Sequence, residues 1–197
     1  MKTFVGMILA VGLIGLPFTA AAQSDLAAFP LGTTTMVYNV SSEGISEPQT
    51  LELVVTVHGD DRYTVRMTTE ATGSEEELAA GFGFIFGAAS VSSGTGRDVN
   101  YSSIQALIDQ RDRLQEGEDY ALPGADFVDV KRVEIAELDC LEGTIIDPDK
   151  PGSRTIIAFS LTAPVYISPR IRVEELREEE WVETFLMELV EYRYDEG

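Results

Sequence analysis

The sequence predicts an α+β domain that is mostly antiparallel β, a curved sheet or half-barrel with one or two covering helices. Two observations predict the sheet: apolar and polar residues alternate with period two in run after run, and short turn-forming stretches join those runs as hairpins. A third predicts the cover, an amphipathic stripe at helical spacing between residues 102 and 114.

In chain order, a lead-in containing Pro30 and Gly32 precedes the first strand. There Met36, Tyr38 and Val40 alternate with Val37 and Asn39, and the turn-rich Ser41 to Gly44 closes the run. Next, Leu51, Leu53, Val55 and Val57 alternate with Glu52, Val54, Thr56 and His58. After the turn at Gly59-Asp60-Asp61, Tyr63, Val65 and Met67 alternate with Arg62, Thr64, Arg66 and Thr68. Residues 51 to 69 thus read as a hairpin with separate apolar and polar faces.

Ser74 and Glu77 fit a capping box, and Leu78, Ala79 and Ala80 start a weak helix that meets Gly81, Gly83 and Gly87. The uncharged stretch Gly81 to Ala89 carries Phe82, Phe84, Ile85 and Phe86, which suits either core packing or an apolar flap against a ligand. Ser102 and Gln105 form a second capping box, and Ile104, Leu107, Ile108 and Leu114 make the helical stripe that should lie over one face of the sheet.

Strand signals return after Tyr120. Leu122-Pro123-Gly124 is a turn, and residues 126 to 138 read as one bent strand with a bulge at Lys131-Arg132. Cys140 to Ile146 and Thr155 to Leu161 flank the loop from Asp147 to Gly152 as a second hairpin. Val165 to Val173 is strand-like but carries Pro164 just before it and Pro169 within it, which suits an edge or a bent strand, since proline cannot donate to a ladder, and a place at a sheet edge is expected. The run Trp181 to Tyr192 fits both a helical and an alternating pattern; the strand series before it and the acidic Glu178-Glu179-Glu180 as a hairpin tip favour strand.

Residues 1 to 22 read as a cleavable signal peptide. Lys2 supplies the positive start, Phe4 to Leu16 the apolar core, Pro17 the break and Ala20-Ala21-Ala22 the cleavage site. The expected location is therefore periplasmic or extracellular, with no membrane span left after cleavage. Residues 23 to 197 then form a single strand-rich domain. Its chemistry is defined largely by exclusion. A net charge of -20, from 34 acidic against 14 basic residues, repels phosphate and argues against nucleic acid. Cys140 is the only cysteine, so no internal disulfide forms, and a buried structural thiol is expected. His58, the only histidine, falls on the polar side of a strand beside a turn, so neither a Ser-His-Asp triad nor a multi-histidine metal site is expected. Asp147, Asp149 and Gly152 lack the later ligands of a calcium loop, and the glycines at 81, 83, 87, 94 and 96 match no phosphate-binding pattern. No cofactor, no metal and no catalytic residue are assigned.

The signal segment, the antiparallel strands, the short helical insert, the Tyr-x-Leu-Pro-Gly turn at 120 to 124 and the run Glu188-Leu189-Val190-Glu191-Tyr192 together resemble exported lipoprotein-carrier (LolA-type) proteins of the bacterial envelope. The resemblance implies a curved sheet around helices with an apolar cavity for an acyl chain. The expected function is a non-enzymatic envelope protein that binds or carries a lipid or other hydrophobic small molecule. Its ligand residues would be Phe82, Phe84, Ile85 and Phe86 with Tyr63, Val65 and Met67. The alternative expectation is a structural or interaction domain that docks another envelope protein through a sheet edge or the apolar insert.

Overall fold

The computed structural model describes residues 29–60, 62–75, 101–110 and 113–196. The signal peptide, the weak helix from Leu78 and the Gly81 to Ala89 insert with Phe82, Phe84, Ile85 and Phe86 lie outside those residues. Among these residues nine strands form one open, curved antiparallel sheet: β1 Gly32–Ser42, β2 Gln49–Gly59, β3 Arg62–Glu70, β4 Tyr120–Leu122, β5 Ala125–Ile135, β6 Leu138–Ile146, β7 Ser153–Ser160, β8 Arg170–Arg177 and β9 Glu180–Asp195. One helix, α1 Tyr101–Gln110, is present among the described residues. Neither mostly antiparallel character nor curvature departs from the expectation, and one covering helix is seen.

The strand order is β3-β2-β1-β9-β8-β7-β6-β5-β4. Every neighbouring pair is consecutive in sequence except β1 and β9, so two meanders are joined by one long-range ladder. In that ladder Val40 faces Met187 and Tyr38 faces Leu189, with a bulge between Val37 and Tyr38. The pairing merges the apolar sides of both meanders into one face, because strand side chains alternate and facing residues share a side.

The β2–β3 hairpin forms where alternation places it, with Leu53 opposite Met67 and Val55 opposite Val65. Trp181 to Tyr192 is strand, inside the 16-residue β9, and the Glu178-Glu179 tip adopts left-handed backbone (φ 49° and 72°). Three details differ from the sequence reading. The chain does not run as one strand through residue 138: β5 stops at Ile135, Ala136 and Glu137 turn with φ of 48° and 64°, and Leu138 opens β6. Two consecutive positive φ values make the tight hairpin turn whose twist matches the flanking strands. The bulge in β5 falls between Val128 and Lys131, ahead of Lys131-Arg132, where Asp129 has a φ of 57°. Finally, Pro164 and Pro169 precede β8 and do not interrupt it, so β8 lies between β7 and β9 and is not an edge. The Pro169 carbonyl still accepts the Leu189 N–H, at 2.7 Å.

The apolar face holds the core in two parts. Met36, Tyr38, Leu51, Leu53, Val55, Met187 and Leu189 form one, beneath the 161–169 segment whose Ala163, Val165, Tyr166 and Ile167 pack on it. The other gathers Phe127, Leu141, Ile145, Ile157 and Phe159 beneath Leu107 of α1 and Leu114 beyond its end. Gly143 is required there, since a Cβ would come within 2.4 Å of the Phe127 ring. Ser102 lies inside the bounds of α1 and not ahead of them.

Candidate functional site

Among the residues expected to bind ligand, the structure brings together Tyr63, Val65 and Met67. All three lie on β3 and face the apolar side, opposite Val57, Val55 and Leu53 of β2. Their burial differs sharply from that of their partners. Leu53 and Val55 are fully buried, whereas Val65 is 37% and Met67 49% exposed; Tyr63 is partly buried against the first core cluster. Among the described residues β3 ends the sheet, so it has a neighbouring strand only on the β2 side and no element above it equivalent to α1 or the 161–169 segment. Among the described residues the apolar face is therefore uncovered at this end.

Just inside the open end, Tyr38 is fully buried, and its hydroxyl makes no hydrogen bond. Burial drives its ionisation well above the usual tyrosine range, and the Ile167 backbone, short of full hydrogen-bond geometry, acts the other way. The 161–169 segment reaches the same area, where the Tyr166 N–H lies 3.3 Å from the Met36 sulfur. Cys140 is buried too, as a structural thiol would be; burial first and the Asp139 carboxylate second push it up from 9.0 to about 11. A thiol held protonated in this way is a poor nucleophile. His58 is exposed and shares a 2.8 Å hydrogen bond with Thr64 across the β2–β3 hairpin, so its place is on the polar side.

The opposite face carries a site that sequence reasoning missed. Strand register lines up Lys131, Glu142, Ala158, Arg170 and Glu188 in one row across β5, β6, β7, β8 and β9. Ala158 is small enough for Arg170 to reach over it: Nη1 donates to Glu142 Oε2 at 2.6 Å and Nε to Glu188 Oε2 at 2.5 Å. Burial opposes the Arg170 charge, but the hydrogen bonds it donates to Glu142 and Glu188 outweigh that and hold its ionisation above the ordinary arginine range. Two rows away Arg154 donates to Glu174 at 2.6 Å and lies 4.2 Å over the Trp181 ring. The row between holds Thr144, Ile156 and Arg172, and a cleft of about 330 Å³ opens over it, also lined by Asp129, Lys131, Glu142 and Arg154. Cations and carboxylates pair off around this cleft, which makes it a structural charge ladder. No sequence signal could have found it, because its members are dispersed over 58 positions and meet only through register.

Among the described residues no three His, Cys, Asp or Glu side chains converge as a metal site requires, and no helix is long and apolar enough to cross a membrane. No family model matches the chain, and no curated protein matches it.

Proposed function

We propose that this protein is an exported, non-catalytic binder or carrier of a hydrophobic ligand, a lipid or acyl chain, seated at the β2–β3 end of the apolar face. The observation that carries the reading is the exposure of Val65 and Met67 on the same face that is fully buried one strand away. An apolar chain laid along β3 would remove that surface from water at about 25 cal/mol per Å², and Tyr63 would border it. The half-barrel expectation and the resemblance to lipoprotein carriers belong to the same proposal, as does a periplasmic or extracellular location after removal of residues 1 to 22. The second reading, a domain that docks another envelope protein, is favoured by a different feature, the exposed backbone edge of β3 itself.

The test is native mass spectrometry, with organic extraction, of the protein purified from its own compartment. A copurifying lipid-sized mass, lost in a Val65→Asp, Met67→Asp variant that still folds, is the expected result. A clean apo mass for the wild-type chain, with no uptake of added fatty acid, would overturn the ligand reading and leave the docking one.

A further inference from the structure

Strand β3 is an edge among the described residues, and seven of its nine residues are exposed. Such an edge offers a row of N–H and C=O groups to any extended chain of matching pattern. The strand matches itself. Read antiparallel about Arg66, it sets Arg62 opposite Glu70, Tyr63 opposite Thr69, Thr64 opposite Thr68 and Val65 opposite Met67 of a second copy. Salt pairs thus close both ends, the apolar residues meet on one face, and the threonines meet on the other.

Other two-fold registers that keep the faces aligned do worse. Centred on Val65, Glu70 falls opposite Asp60 and Arg62 opposite Thr68; centred on Met67, Glu70 meets Thr64 and Arg62 passes beyond the strand. The register about Thr68 also sets Arg66 opposite Glu70, but it overlaps only residues 66 to 70 and leaves Val65 beyond the pairing, whereas the register about Arg66 pairs all nine residues of β3 with opposite charges at both ends. Within one chain, Arg62 and Glu70 face Gly59 and Thr50, so among the described residues neither charge is paired across β2. The one unfavourable pair, Arg66 opposite Arg66, lies on the polar face with Glu52 diagonal to it on each β2, within reach of a long side chain. A net charge of -20 keeps copies apart in general, but this strand carries two arginines against one glutamate, so it is a locally positive edge.

We propose that β3 is the self-association edge of this protein, and that two copies pair antiparallel about Arg66 into one continuous sheet. The pairing would set the two apolar faces side by side at Val65 and Met67. It rests on the β3 sequence and position alone, so it survives or fails independently of ligand binding.

The test uses sedimentation velocity of the full chain and of Arg62→Glu, Glu70→Arg and the double variant. By symmetry each single change creates two like-charge pairs and should weaken the dimer roughly tenfold; the double change restores opposite charges and should return it to the wild-type value. In parallel, Arg66→Cys under a mild oxidant should give a disulfide-linked dimer on a non-reducing gel, while Thr64→Cys and the wild-type chain, with its buried Cys140, form no such covalent link. A wild-type chain that is monomeric at every concentration would overturn the proposal. So would a dimer indifferent to the single charge changes, a double variant as weak as either single one, or cross-linking at position 66 no greater than at 64.

Discussion

The two ends of the apolar face are made of similar residues and meet opposite fates. At the β5–β7 end Phe127, Leu141 and Ile157 are almost completely buried, because α1 and Leu114 lie over them. At the β3 end Val65 and Met67 occupy equivalent positions on the same face and remain substantially exposed. The difference is not one of residue type or alternation. It comes from what is stacked on the face and from where each strand sits in the order, and it separates the part of the sheet that is covered from the part left exposed among the described residues.

The largest effect that would sharpen this contrast is expected at Phe127. Phe127→Ala removes a fully buried ring packed edge-on against Phe159, and should cost about 3–5 kcal/mol in urea unfolding. Leu107→Ala should cost about 2–5 kcal/mol and also make the β5–β7 end bind a hydrophobic dye, since Leu107 is the buried residue by which α1 seats on the sheet. A loss below about 1 kcal/mol with no new dye binding would break the comparison, because the helix would then be ornamental.

Cys140 gives an intermediate effect with a defined pH window. Its thiol titrates near 11 in the fold and near 9.0 when free, so the folded state holds its proton longer than the unfolded chain does. The stabilisation from this group is complete below pH 9.0 and is lost as the pH rises through about 11. Urea midpoints should fall across that window and fall less in Cys140→Ala. Tyr38→Phe should be neutral or stabilising by about 1 kcal/mol, since it deletes a buried hydroxyl that has no hydrogen bond. The smallest effect is expected at the open end, where Val65→Thr and Met67→Thr should change stability by only about 0.5 kcal/mol. A cost of about 2 kcal/mol or more at either position would show that something covers β3.

Much of this architecture was legible in the residues. Period-two alternation located the β2–β3 hairpin and put Tyr63, Val65 and Met67 on one apolar side, and the two acidic residues at the Glu178-Glu179 turn marked the entry to β9. The errors cluster where two signals compete. Ala136 and Glu137 carry no glycine or asparagine to announce a tight turn, so apolar Ile135 and Leu138 looked like one strand when they belong to two. Pro169 looked like an edge marker because its position just before the first residue of β8 is indistinguishable, in sequence, from a position inside it.

The sequence by itself determined which residues alternate, where most hairpins turn and which side of each strand is apolar. These properties depend on neighbours a few positions apart, through side-chain alternation and turn backbone preferences. Tertiary structure alone decided that β1 pairs with β9, that Arg170 spans Ala158 to join Glu142 and Glu188, and that the β5–β7 end of the face is covered while Val65 and Met67 are not. Those outcomes depend on register and packing between segments far apart in the chain, and no local pattern encodes which of several equally apolar surfaces will be covered.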